Sequence, residues 1–194
     1  LIKVYNVALI IDRTYAAVLF GNTYHGSIAK FSKNIVLKDF GHPLISEDKL
    51  VVNDLSLDEK KILLISGPNA GGKTVFLKSL QIAAILNQAG LMVPSSYAEL
   101  PIFDHIFFLA GDNQSVLDNL STFSSHVREL EKIAVNMTNN SLVIIDEIGQ
   151  GTSPLEGSAL GVAFIKKAER TNSFLILTSH YEDLKDYCLN NDFV

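Results

Sequence analysis

The chain has 194 residues, 47% of them hydrophobic and 19% charged, with a formal net charge of −5. That balance suits a well-packed domain with a small appendage and excludes the disordered and fibrous classes. The only adjacent basic pairs are Lys60-Lys61 and Lys166-Lys167, so the basic stripe expected of a polyanion-gripping surface is missing.

Residues 1–30 place Val4, Val7, Ala8, Ile10, Ile11 and Ala16–Phe20 at roughly helical spacing. They read as a packing helix that ends an upstream helical domain, with a second domain over 31–194. A turn-rich region with Gly41-His42-Pro43 and Asn53-Asp54 encloses short apolar runs at 35–37 and 50–52, the pattern of a small β meander. From Lys61 the pattern is regular. Ile62–Ile65 predicts a strand, followed by a glycine-rich turn and a helix from about Lys73 to Ala89. A strand over 106–109 and a helix over 123–138 follow, the helix carrying Phe123, Val127, Leu130, Ile133 and Ala134 on one face. Leu142–Ile145 predicts a third strand, Leu155–Glu169 a helix, and Phe174–Leu177 a fourth strand ending at Thr178-Ser179-His180. Apolar strands separated by helices predict an α/β fold, with a mainly parallel sheet covered on both faces.

The longest apolar runs, such as Leu142–Ile145, are strand-sized and shorter than a membrane span, so no membrane partner is expected. No secretory leader pattern is seen, and the single Cys188 cannot close an internal disulfide, which fits a reducing cytoplasm. The chain opens at Leu1 and stops at Val194 without a terminating motif, and it reads as a piece of a longer protein.

Gly67-Pro68-Asn69-Ala70-Gly71-Gly72-Lys73-Thr74 fits G-x-x-x-x-G-K-[ST] at every fixed position, directly after a strand and before a helix. Glycines let the backbone curl so that successive N–H groups face phosphate oxygens, and the following helix turns its positive end to the same charge. Lys73 would reach the β- and γ-phosphates, and the Thr74 hydroxyl would coordinate Mg²⁺. The expected ligands are therefore ATP and Mg²⁺, in a P-loop NTPase fold.

The strand Leu142–Ile145 ends in Asp146-Glu147. A parallel strand delivers its last residues to the carboxyl edge, where ligands of open α/β sheets sit. There Asp146 would hold Mg²⁺, directly or through a water, and Glu147 would polarise or deprotonate the attacking water. His180 ends the fourth strand in the same way and would contact the γ-phosphate or the water. His25, His42, His105 and His126 show no metal-ligand spacing.

Together these segments resemble the MutS-type ATPases. The glycine turn reads GPNAGGKT, Asp118–His126 is similar to the family's Ser-Thr-Phe signature, and Asp146–Thr152 resembles its extended acidic motif. Thr178-Ser179-His180-Tyr181 resembles its switch histidine. Thr74-Val75, Gly111-Asp112 with Gln114-Ser115, Phe123-Ser124-Ser125-His126 and Thr152–Gly157 resemble the second bacterial paralogue rather than the mismatch-repair branch. Gln150 departs from both, where a small residue or an arginine is usual.

The resemblance implies an ABC-like core working across a homodimer, with Ser121 of one copy facing the γ-phosphate held by the other. It implies that Asn69 contributes from the turn, and that His42 and Val51 lie near the adenine. It also implies that ATP hydrolysis switches a clamp acting on DNA, in mismatch, branched-DNA or recombination work. The rival readings are an ABC-type module acting on the ribosome, and a nucleotide-binding structural module that does not turn over. A small-molecule phosphotransferase is disfavoured because Arg13, Arg128 and Arg170 form no arginine-rich lid, and no Asn-Lys-x-Asp supports guanine specificity.

Overall fold

The computed structural model describes residues 2–68, 71–111 and 119–191, and the side chains of Ile2 and of residues 119–123 lie outside that description. It forms two compact units, residues 1–56 with 78–102 and residues 57–77 with 103–194.

The first unit opens with helix α1 (Ile2–Asn22). Its mixed sheet has the order β1-β5-β2-β3, built from β1 (Lys30–Phe31), β2 (Ile35–Phe40), β3 (Asn53–Leu57) and β5 (Tyr97–Leu100). β5 runs parallel to β1 and antiparallel to β2, with Leu37 opposite Ala98. The pleat sends alternate residues to opposite faces, which is why Ile35 and Leu37, and likewise Ala98 and Leu100, are buried together.

Three expectations change here. The apolar run at 50–52 is not a strand; Val51 and Val52 are exposed, and the strand starts at Asn53, where Leu55 and Leu57 alternate inward. One neighbour of β2 is Tyr97–Leu100, a segment that the sequence pattern did not single out. The N-terminal segment is helical, as its spacing predicts, but Val4, Tyr5, Ile10 and Ile11 are exposed along it. Its end is tied down: Gly21 lies so close to Met92 that a Cβ would stand 2.3 Å from the sulfur, and Tyr24 Oη donates to Met92 O at 2.7 Å. By length and composition alone Lys3–Asn22 is apolar enough to cross a membrane, although its unbroken apolar runs are short. Asp12 and Arg13 stand mid-helix, however, and charges at a bilayer centre are costly.

In the second unit four parallel strands lie in the order β4-β8-β7-β6. They are β4 (Ile62–Ile65), β6 (His105–Leu109), β7 (Ser141–Ile145) and β8 (Phe174–Thr178). Ile62 pairs with Leu175, and Leu142 with both Phe174 and Ile106. One face of the sheet (Ile62, Val143, Ile145, Leu175, Leu177) packs against helices α3 (Asn119–Asn136), α4 (Pro154–Thr171) and α5 (Glu182–Leu189). The other parity, Leu142, Ile144, Phe174 and Ile176, is equally buried, with Phe103 edge-on to Phe174 at 6.0 Å. Burial on both faces is why β7 and β8 are apolar between their ends and do not alternate.

Helix α2 (Lys73–Gln88) begins in this unit and continues into the first. Helix α4 starts where Ser153 caps it: Ser153 Oγ accepts from Glu156 N at 3.4 Å and donates back to the Glu156 carboxylate at 3.0 Å, with Pro154 at the first position. The Glu156 carboxyl is held below its usual pKa by the Thr152 hydroxyl, then by Ser153.

Candidate functional site

All four parallel strands end at one edge, so the segments that follow β4, β7 and β8 meet there. β8 lies between β4 and β7, and Ser179 N–H donates to Ile65 O at 3.2 Å across the first of those two seams.

After β4 the backbone turns through Gly67 at φ +148° and Gly72 at φ +80°, both in the region that favours glycine. Gly71 N–H closes on Pro68 O at 3.0 Å, and Phe76 N–H bonds to Gly72 O at 2.9 Å as α2 begins. Lys73 is buried to 8% exposure, and its ammonium donates to Gly67 O at 2.5 Å and Pro68 O at 2.9 Å, so the cation sits inside the curl of the turn. Asn69 and Ala70 lie outside the described residues. Val75 is exposed on the first turn of α2.

Asp146 follows β7, is buried to 5% exposure, and is bonded at both oxygens. Thr74 Oγ1 donates to Oδ2 at 2.6 Å, and Thr178 Oγ1 donates to Oδ1 at 2.8 Å. These are charge-assisted bonds, about twice as strong as neutral ones. The Asp146 N–H is fixed to Leu109 O at 2.8 Å. The glycine turn and the acidic strand end, 72 residues apart, are thus joined by one hydroxyl–carboxylate contact.

Glu147 is half-buried and takes φ +56°, a left-handed conformation that costs a non-glycine residue about 1–3 kcal/mol and occurs mainly where surrounding contacts enforce it. Its N–H donates to Thr178 Oγ1 at 2.7 Å, and Ile148 N–H donates to Thr178 O at 3.1 Å. The chain then turns through Gly149 at φ +77°, where a Cβ would stand 2.5 Å from Gly157 Cα. Gly157 in turn lies under the Tyr181 ring, and Tyr181 Oη donates to Gly149 O at 2.8 Å. Burial, then the Glu147 charge, pushes the Tyr181 phenol up. His180 is exposed, its ring 4.4 Å from that of Tyr181.

The expected residues therefore divide into groups. Lys73, Thr74 and Asp146 come together at the strand edge, with Glu147 and His180 on the segments beside them. Ser121 stands in the first turn of α3, but its side chain is not described. His42 and Val51 belong to the first unit. His42 is half-buried, accepts Leu44 N–H on Nδ1 at 3.3 Å, and lines a cavity of about 230 Å³ with Tyr24, Leu50 and Val52. Val51 is exposed and does not line it.

Among the described residues no three His, Cys, Asp or Glu side chains are grouped to hold a metal. The Thr74 hydroxyl with the Asp146 carboxylate is instead the sparse oxygen set that suits Mg²⁺, which keeps most of its waters. One contributor escaped the sequence reading: Thr178 was noted only as part of the segment leading to His180. A hydroxyl closing an otherwise apolar strand was the available signal.

This arrangement defines an α/β protein with a polar site at the carboxyl edge of a parallel sheet. The profile of MutS domain V matches residues 63–193, and the chain belongs to that family. Its similarity to proteins named Endonuclease MutS2 places it with the second paralogue. It is 45% identical over 163 residues to that of Alkaliphilus metalliredigens, covering 83% of this chain and 21% of the relative. Identity is 43% over 162 residues with that of Bacillus velezensis, covering 82% and 21%. With that of Aquifex aeolicus it is 36% over 197 residues, covering 100% and 26%. The chain thus spans a fifth to a quarter of the length of these curated relatives.

Proposed function

We propose that this chain is a P-loop ATPase domain with an ABC-like core, that it binds Mg·ATP in the turn between β4 and α2, and that it converts ATP and water to ADP and phosphate. The observation that carries this reading is the 2.6 Å bond from Thr74 to Asp146, made beside a buried Lys73 at the start of a helix. It brings an ammonium, a hydroxyl and a carboxylate to the end of a glycine turn, the groups a metal-bound triphosphate needs.

Thr74 and Asp146 would hold Mg²⁺, which would supply neutralisation of the charge on the outer phosphates. The remaining work belongs to the chain. Gly67, Asn69, Ala70, Gly71 and Gly72 present backbone N–H groups to the phosphates, Pro68 having none to give and helping to shape the turn, and Lys73 moves its ammonium from the carbonyls of the turn to the phosphate oxygens. Glu147 takes the proton of the attacking water, and His180, one residue beyond the strand end, contacts the terminal phosphate. Ser121 of a second copy completes the site, so turnover belongs to a homodimer. His42 and Val51 serve the adenine end.

In the whole protein this cycle drives conformational switching of a MutS-like machine that acts on DNA through parts outside this chain. A net charge of −5 without a basic stripe is consistent with that division of labour.

The test is phosphate release from Mg·ATP by the chain across a range of protein concentrations. The expected result is slow turnover whose specific rate rises with concentration, as a site completed by a second copy requires. Rapid turnover independent of concentration contradicts the two-copy site, and binding without any release at high concentration favours a non-hydrolysing module.

A further inference from the structure

Because β8 lies between β4 and β7, its last residue is flanked by the glycine turn on one side and the acidic pair on the other. That residue, Thr178, is completely buried. Its hydroxyl has one proton to give, and gives it to Asp146 Oδ1 at 2.8 Å. The oxygen then accepts Glu147 N–H at 2.7 Å, and the Thr178 carbonyl accepts Ile148 N–H at 3.1 Å. A single strand end thus holds three consecutive residues of the neighbouring strand end.

The two hydroxyl bonds have separate consequences. The first ties down one oxygen of Asp146 and fixes the rotation of the carboxylate, so that the other oxygen stays toward Thr74. The second gives a partner to the N–H of Glu147 in its left-handed backbone, which otherwise carries strain with a buried donor unsatisfied. The direction in which the Glu147 side chain leaves the backbone depends on that conformation.

We propose that Thr178 is a positioning residue: its hydroxyl orients Asp146 toward the metal side and locks the Glu147 backbone in the turn that directs its carboxylate. Its consequence for hydrolysis rests on the Mg·ATP reading above, but the brace itself does not.

Two variants separate the hydroxyl from the bulk of the side chain. Thr178→Val keeps the shape and removes the hydroxyl, while Thr178→Ser keeps the hydroxyl and removes the methyl. The first readout is amide hydrogen exchange in the protein without nucleotide. Glu147 N–H is expected to exchange about 10-fold faster or more in Thr178→Val than in wild type or Thr178→Ser, while Ile148 N–H, bonded to the main-chain carbonyl, stays protected. Unchanged protection of Glu147 in Thr178→Val overturns the brace, as does equal loss at Glu147 and Ile148, which would indicate general loosening.

The second readout is hydrolysis. Thr178→Val is expected to lower kcat and raise the Mg²⁺ concentration for half-maximal rate, each by about 10-fold to 100-fold, with KM for ATP at saturating Mg²⁺ little changed. Thr178→Ser is expected to restore both. Wild-type kcat and Mg²⁺ dependence in Thr178→Val, or equal impairment in Thr178→Ser, contradicts the positioning role. If folded wild type neither binds nor hydrolyses Mg·ATP, the function proposed above fails, and the exchange experiment still decides the brace.

Discussion

The parallel sheet of the second unit and the mixed sheet of the first contain strands of similar length, yet they distribute polar groups in opposite ways. β7 and β8 are buried at every position, and polar residues occur only at their ends: Ser141 and Ser173 on the amino side, Asp146, Thr178 and Ser179 on the carboxyl side. β2 and β3 alternate instead, so Lys38, Asp39 and Asp54 lie exposed along the strands, with Lys38 and Asp54 paired at 2.8 Å. A strand buried on both faces can carry charge only where it stops. Stacking such strands in parallel therefore collects charge at one edge and makes a focal site, whereas the mixed sheet spreads its charges over a solvated face.

If catalysis is focused at the parallel edge, Glu147→Gln lowers kcat by about 10²–10⁴-fold and leaves ATP affinity near wild type, measured by single-turnover hydrolysis and by equilibrium binding. Turnover equal to wild type would remove the role given to that carboxylate. The tight junction behind the edge is tested by Gly157→Ala, since a Cβ there would stand 2.3 Å from the Tyr181 ring. The expected cost is about 2 kcal/mol of stability in urea unfolding, together with slower hydrolysis because the Gly149 turn must shift. An unchanged unfolding midpoint would show that the ring moves aside freely.

The first unit should respond more weakly. Val51→Ala is expected to weaken ATP binding by about fivefold or less, in line with the loss of a small apolar contact. Binding of inorganic triphosphate should be untouched, because the proposed phosphate contacts are those of the glycine turn. Equal weakening of both ligands would break that division.

The smallest effect concerns Asp54, whose carboxyl is held below its ordinary pKa by the Lys38 ammonium and then by the Asp39 N–H. A group depressed in the folded state stabilises above its unfolded pKa and loses that contribution as pH falls through its folded pKa. Asp54→Asn is therefore expected to lower Tm slightly near neutrality, with the difference from wild type fading below the ordinary carboxylate range. A gap that persists there would point to packing instead of charge.

How much of this could be read beforehand follows the same division. The four parallel strands stand where the apolar runs put them, because a strand with two buried faces leaves an unbroken signature. The glycine turn and Asp146-Glu147 were readable because their chemistry restricts the residue types. In the first unit, the apolar run at Leu50–Val52 suggested a strand but forms none, with Val51 and Val52 exposed, while Asn53–Leu57 and Tyr97–Leu100 carry only two buried positions each. Thr178 could not be assigned from the sequence for a different reason. Its partners are 32 and 31 residues upstream, and only the strand order β4-β8-β7 brings it between the turn and the acids. Hydrophobic patterning reveals strands and says little about their order.

The turn after β4, with Lys73 inside it and Thr74 bonded to Asp146, is proposed to hold a metal-bound triphosphate. Calorimetric titration of Mg·ATP into the folded chain and into Lys73→Ala tests it most directly. Measurable, Mg²⁺-dependent affinity is expected in the first and a loss of about 100-fold or more in the second, because charge-assisted bonds to phosphate are removed. Equal affinity in the two proteins, or none in a wild-type chain shown to be folded, would contradict it.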